Sequence, residues 1–298
     1  MRRFGQFLLI VGLATGALVR ANGQSPDPGA NVLAAAREAL GGAKTLSAVK
    51  TILATGRTRQ VRGDNLVPIE FEIAIELPDK YVRRDEIPAQ ESGPTTVGVN
   101  GDELIQVPIP ILPTMSARAG GPPPTAAQLE MARQARLGAV RQDFARLTIG
   151  MFASSFSSFP LTFTYVGQAE APQGRADVLD VKGPTGPGAF SARLFINADT
   201  HLPIMITWRS PALAPSRGGG VSSASAAQPP SSSNSGPASA GQAPPESRIF
   251  YGDYREVSGL RLPFRLRRAV GPDTVEETTF DGFKINPKID PKKFEVRK

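Results

Sequence analysis

Residues 69–77 read Ile-Glu-Phe-Glu-Ile-Ala-Ile-Glu-Leu, with a large apolar side chain at every odd position and Glu or Ala at every even one. A strand sends successive side chains to opposite faces, so this period of two gives one greasy face and one acidic, wetted face. Burying residues of this size stabilises by roughly 1.5–3 kcal/mol each, more than strand propensity supplies. A sheet of such strands has a dry side that must be covered by helices or filled by an apolar ligand, and the choice between the two is the functional question.

Similar extended runs predict further strands over 51–61, 80–86, 95–99, 103–107, 161–168, 175–182, 190–197, 202–209, 248–257, 260–270 and 275–285. Turn chemistry at Pro78-Asp79, Asn100-Gly101, Ala198-Asp199, Ser258-Gly259 and Gly271-Pro272-Asp273 joins neighbours as antiparallel hairpins. Residues 31–40 place Val32, Leu33, Ala36 and Leu40 at helical spacing before the Gly41-Gly42 stop, and a further turn is expected over 44–49. After Thr125, a candidate N-cap, Leu129, Ala132, Arg133, Arg136, Leu137, Val140, Phe144 and Leu147 recur at three- and four-residue steps. Residues 151–159, apolar and Ser-rich, read equally as a second helical piece or a loop. A meander with helices inserted early and midway is an α+β fold, a curved antiparallel sheet with helices covering one face.

Two segments stand apart. Between Pro108 and Pro124 lie six prolines, which predicts a loop. Residues 211–247 are almost entirely Ser, Ala, Gly, Pro and Gln, with Leu213 and Val221 the only larger apolar residues. Such a segment cannot offset its ordering entropy and is expected to be a disordered insertion in a hairpin, tolerable because loop closure costs only about 0.6 kcal/mol per doubling of length.

The chain opens Met1-Arg2-Arg3, runs through 7–19 without a charge, and reaches Ala21-Asn22-Gly23. A basic start, an apolar stretch and a small-x-small site predict a secretory signal over 1–23, a single exported domain over 24–298, and the periplasm as destination. A membrane anchor needs about 20 apolar residues, and Gly12, Thr15 and Gly16 interrupt this stretch. The chain has no cysteine, which excludes disulfides, thiolate metal sites and a lipidated cysteine. The formal charge of +7, less the three arginines of the leader, is +4, and the basic residues form no stripe. Export argues against nucleic acid; membrane contact is expected to be peripheral only, and the chain monomeric. Arg265, Arg267 and Arg268 form the densest basic group and read as a solvated strand face.

No catalytic constellation emerges. His201 is the sole histidine and lies beside a hairpin turn, with no second histidine or cysteine to complete a metal site. Glu70, Glu72 and Glu76 share a strand face, the arrangement any half-wet strand shows. Gly120-Gly121 and Gly218-Gly219-Gly220 lack the lysine and the strand-to-helix setting of a phosphate loop. No catalytic residue, metal or cofactor is therefore expected. What remains is an apolar inventory: Ile69, Phe71, Ile73, Ile75, Tyr81, Leu161, Phe163, Tyr165, Phe195, Ile204, Ile206 and Trp208 on strands, with Leu137, Val140 and Phe144 on the helix. These residues form either a packed core or, where curvature leaves a tunnel the helices do not fill, the lining of a site for a fatty chain, each buried methylene contributing about 0.8 kcal/mol.

The order of elements resembles the outer-membrane lipoprotein-sorting, or LolA-like, superfamily. The resemblance rests on Glu38-Ala39-Leu40-Gly41-Gly42-Ala43 followed by Val49-Lys50 and Ala54-Thr55-Gly56, on Leu77-Pro78-Asp79-Lys80-Tyr81, and on Val97-Gly98-Val99-Asn100-Gly101-Asp102. The ending is also similar: Tyr254-Arg255-x-Val257-x-Gly259-x-x-x-Pro263, then Lys284-Ile285-Asn286-Pro287 and Phe294-Glu295-Val296. It implies an incomplete, strongly curved antiparallel β-barrel whose hydrophobic concavity is closed by helices and, in carriers, receives lipoprotein acyl chains. On that expectation the chain is a non-enzymatic periplasmic carrier or sensor of a lipid or lipoprotein acyl chain, with the 108–124 loop and the following helix as lid. The alternative is an envelope scaffold with a fully packed core and a protein partner. One departure stands out: where carriers have an arginine before the proline of the first bend, tied to lid movement, this chain has Leu77.

Overall fold

Residues 65–76 form a strand, paired on both sides over 70–76, that buries Phe71, Ile73 and Ile75 while Glu70 stays exposed, as the alternation requires. The computed structural model describes residues 27–63, 65–88, 93–108, 124–185, 189–209 and 245–296. The expected leader, residues 109–123 of the proline-rich loop and residues 211–244 of the insertion lie outside the described residues.

In chain order the elements are α1 (Pro28–Ala39), α2 (Ala43–Ser47), β1 (Thr51–Arg62), β2 (Asn65–Glu76), β3 (Lys80–Glu86), β4 (Thr95–Asn100), β5 (Glu103–Val107) and α3 (Ala126–Phe152). There follow β6 (Thr162–Ala171), β7 (Gly174–Lys182), β8 (Ser191–Asn197), β9 (Pro203–Arg209), β10 (Glu246–Val257), β11 (Leu260–Val270), β12 (Asp273–Ile285) and a 3-10 turn (Pro291–Phe294). The strands form one open, curved, antiparallel 12-stranded sheet in the order β5-β4-β3-β2-β1-β12-β11-β10-β9-β8-β7-β6. Two meanders are thus joined along β1 and β12, and β5 and β6 are the edges, so the barrel is incomplete. Bulges at Thr55/Gly56, Tyr165/Gly167, Phe195/Ile196 and Arg268/Ala269 add twist. At the first of these a Cβ on Gly56 would lie 2.3 Å from the Thr279 carbonyl oxygen and 2.6 Å from the Phe71 ring, so only glycine admits the edge-on Phe71–Phe280 pair, 5.4 Å between centroids.

The edges fix the role of α3. It links β5 to β6, so the chain must travel from one edge of the sheet to the other, and a 27-residue helix reaches about 40 Å. Thr125 caps it in a capping box with Gln128, and it stops at Ala153, whose left-handed backbone breaks the helix. Residues 151–159 are therefore neither all helix nor all loop: the helix ends at Phe152, and Phe156 and Phe159 bridge in the connection beyond it. From Leu137 onward α3 is packed against the sheet, whereas residues 126–135 are exposed. Leu33, Ala36 and Leu40 of and just beyond α1, with Leu46 of α2, complete the cover and join the main apolar cluster.

The opposite face is less wet than the alternation predicts. Ala74, Val82 and Ile105 are sealed there by Phe294 of the 3-10 turn, while Lys293 pairs with Glu72 and the Asn100 side chain donates to the Phe294 carbonyl at 3.1 Å. No helix among the described residues is long and apolar enough to cross a membrane.

Candidate functional site

Inward parity runs Ile52, Ala54, Gly56, Thr58 on β1 and Phe71, Ile73, Ile75 on β2, with Tyr81, Arg83 and Asp85 opposite them on β3. On the other half it runs Leu260, Leu262, Phe264 and Leu266, then Arg268 on β11, and Ile206 and Trp208 on β9. Of the residues expected to line a site, Phe71, Ile73, Ile75, Tyr81, Leu137, Val140, Phe144 and Ile206 come together in one buried cluster. Phe163, Tyr165 and Trp208 pack half-buried against it. Ile69 is buried next to Thr58 in register but outside that cluster.

Phe195 corrects the expectation. It lies on the other face with Met205, Phe250 and Ala269, because its neighbours Leu194 and Ile196 take the inward side of β8. In the run Leu194-Phe195-Ile196 all three residues are apolar, so the sequence offers no contrast from which to read parity.

The trough is tightly filled. Ile206 is 0% and Ile75 1% exposed, so no water-sized space, interior or exterior, reaches them, and the Tyr81 ring stacks on Phe144 of α3 at 5.1 Å. Polar contacts fasten the helix. Tyr251 donates its hydroxyl to the Arg146 carbonyl at 2.6 Å, and the single hydroxyl proton of Tyr254 is shared between the carbonyls of Pro203 at 2.8 Å and Gly150 at 3.0 Å. Arg141 donates to the Gly101 carbonyl at 2.7 Å and pairs with Asp102, while the Gln142 side chain donates to the Ala189 carbonyl at 3.1 Å. Adjacent helix residues thereby tie the β4–β5 turn on one side to the segment before β8 on the other.

A second zone, charged, borders the apolar one. Asp143 Oδ1 accepts from Arg146 at 3.0 Å and from Arg268 at 3.3 Å, and Gln142 Oε1 accepts from Arg146 at 2.8 Å. The Arg146 guanidinium lies 4.0 Å from the Trp208 ring centroid and 5.4 Å from that of Phe190. Nearby, Arg83 donates to Asp85 at 2.7 Å and to Thr58 at 3.0 Å, Thr58 and Thr278 share a hydrogen bond of 2.9 Å, and Thr278 donates to Glu276 at 3.3 Å. Burial opposes the charge on Asp143, but Arg268 and Arg146 outweigh it and hold the carboxyl below its usual range. Burial also draws Arg146 down to about 10 against the pull of Asp143, which leaves it charged at neutral pH. For Tyr81, burial dominates and pushes the phenol up.

Sequence reasoning missed this cluster, and it assigned Arg268 to a solvated face together with Arg265 and Arg267. Arg268 instead continues the inward series Leu260, Leu262, Phe264, Leu266 by simple alternation, a signal that was present in the sequence. Glu70, Glu72 and Glu76 do face outward; Glu70 and Glu72 help to line a groove of about 360 Å³ with Thr55, Arg57, Arg84, Glu86 and Asp281. No group of three potential metal-ligating side chains occurs among the described residues. His201 sits exposed beside the β8–β9 turn.

Fold and face together define an open antiparallel half-barrel whose apolar concavity is roofed by one long helix. No protein-family model matches the chain, and no curated protein does. Among solved structures it is similar to a LolA superfamily protein from Nitrosomonas europaea, at TM-score 0.48 and 11% identity over 90% of this chain and 97% of that one. It is likewise similar to a putative outer membrane lipoprotein-sorting protein domain from Vibrio parahaemolyticus, at 0.45 and 8% over 88% and 95%. A DUF1329 family protein from Desulfovibrio piger gives 0.47 and 8% over 90% and 98%. Likeness at this level says nothing of what this chain binds.

Proposed function

We propose that the chain is an exported, non-enzymatic carrier or sensor of a hydrophobic ligand, a lipid or lipoprotein acyl chain, which lies between the curved sheet and α3. The observation that carries this reading is the roof itself: a continuous apolar concavity covered by α1, α2 and, for the greater part, the long helix α3, which is held at its flanks by separable polar contacts. The buried face of α3, Leu137, Val140, Phe144, Ile149, Met151 and Phe152, contributes roughly 9–18 kcal/mol at about 1.5–3 kcal/mol each. An acyl chain of about sixteen carbons, at about 0.8 kcal/mol per methylene, offers about 13 kcal/mol. The two are of the same size, so exchanging helix for ligand over Phe71, Ile73, Ile75, Tyr81, Phe163, Tyr165, Ile206 and Trp208 is close to balanced, which is what reversible loading requires.

The completeness of packing favours a second reading, an envelope interaction protein with a solid core. Native mass spectrometry of protein extracted from membranes, with displacement of a fluorescent fatty acid, separates the two. The carrier predicts a lipid adduct and displacement; a bare mass with no displacement leaves the solid-core reading. Deleting residues 211–247 leaves hydrophobe binding intact if the concavity is the site, and loss of a protein partner in that variant would favour the scaffold.

A further inference from the structure

We propose that the charged cluster bordering the trough is a headgroup site, which makes the favoured ligand an acyl chain bearing an oxyanion, carboxylate or phosphate, with that group seated between Arg268 and Trp208. This rests on the reading of the concavity as a hydrophobe site and adds the chemical class and orientation of the ligand.

The charges are gathered, not scattered. Arg268 pairs in register with Glu276, and Thr58 with Thr278, both toward the end of the sheet where the β1–β2 and β11–β12 turns lie. Arg146 and Asp143 descend onto the same region from α3. Exposure is graded across the cluster: the side chains of Asp143 and Arg268 are 35% and 33% exposed, whereas Arg146 is 6% exposed and lies over Trp208. The cluster therefore joins solvent to the dry interior, as the site for the polar end of an amphiphile must.

Its unmet valence is for an acceptor. A guanidinium offers five N–H donors, and in the closed state one oxygen of Asp143 serves both Arg146 and Arg268, while Arg146, which also donates to Gln142 and travels with α3, keeps a buried Nε with no acceptor. Asp143 also belongs to the moving part. When α3 lifts to admit a chain, it takes the Asp143 carboxylate with it and leaves Arg268 on the sheet, with Glu276 opposite it in register and the Trp208 ring centroid 5.9 Å away. An oxyanion at the head of the incoming ligand restores that contact with planar, charge-assisted geometry; a neutral or cationic head does not.

The test compares dodecanoate with dodecanol as displacers of a fluorescent fatty-acid probe from the full chain at neutral pH, with acetate and inorganic phosphate as chain-free arms. A charge-assisted hydrogen bond predicts that the acid binds at least about tenfold more tightly than the alcohol. Arg268→Met collapses that ratio toward one, Arg268→Lys keeps part of it, and neither acetate nor phosphate displaces the probe. Equal binding of acid and alcohol to the wild type, or an undiminished ratio in Arg268→Met, overturns the headgroup site while leaving the hydrophobe reading standing. Displacement by phosphate alone reassigns the cluster to a free anion and also overturns it. Should neither amphiphile bind, both readings fall together.

Discussion

Replacing Gly150 by alanine decides whether α3 is seated on the sheet as described. In an unobstructed helix interior the change stabilises by about 0.8–1 kcal/mol, because glycine carries the larger backbone entropy. Here the added Cβ would lie 2.3 Å from Cε1, 2.6 Å from Cδ1 and 2.8 Å from Cζ of Tyr251. That ring has no room to yield: it is 2% exposed and its hydroxyl is held by the Arg146 carbonyl one turn earlier. Overpacking of this kind costs about 1–3 kcal/mol, and a ring pushed off the carbonyl leaves a buried hydroxyl unpaired for about 1–3 kcal/mol more. After subtracting the gain in helix propensity, Gly150→Ala destabilises by about 1–5 kcal/mol. Urea unfolding followed by fluorescence of Trp208, the single tryptophan, measures this at the helix–sheet interface. In a Tyr251→Ala background the same change becomes neutral or stabilising by up to about 1 kcal/mol. A wild-type background in which Gly150→Ala raises stability by the full propensity gain would refute the seating of α3.

Asp143→Asn keeps an acceptor oxygen but removes the negative charge shared by Arg146 and Arg268 and, with a third of the side chain exposed, costs about 1–3 kcal/mol. Because the folded state holds the Asp143 carboxyl below its usual value, its contribution is present above the unfolded pKa of about 4 and lost as pH falls through the lowered one; urea midpoints taken across that range fall less steeply in the variant than in the wild type. Phe294→Ala empties the cluster formed with Ala74, Val82 and Ile105 and lowers stability by about 3–5 kcal/mol, with the acid-to-alcohol binding ratio unchanged. Thr125→Ala breaks the capping box, and amide exchange speeds up over residues 126–135; the global unfolding midpoint holds, because that first part of α3 is exposed and buries no residue.

What the sequence disclosed followed from contrasts between neighbours. Alternation of Ile, Phe and Glu marked β2, Asn100-Gly101 marked the β4–β5 turn, and Thr125 marked the start of α3, because each signal is complete within a few residues. Where contrast was missing, parity was lost, as at Phe195. Where meaning came from a distant partner, it was invisible: Asp143 and Arg268 are 125 residues apart, and Phe294 closes on strands some 190 residues and more upstream. Local reading assigns an isolated charge to solvent, since burial without a partner is prohibitive, and the partner is supplied only by the fold.

That difference bears on what the cluster is for. A core that served stability alone would gain nothing from Arg146, Asp143 and Arg268, because well-packed apolar residues in place of a buried ion pair or triad are often neutral or stabilising by about 1–4 kcal/mol. Ion pairs between a roof and a floor differ from apolar contacts in one respect: they are directional, and water or another anion can replace one partner without leaving a cavity. Their placement where α3 meets the rim, with the filled apolar trough behind them, fits a helix that must register in one position when closed and separate along a polar seam when a ligand arrives.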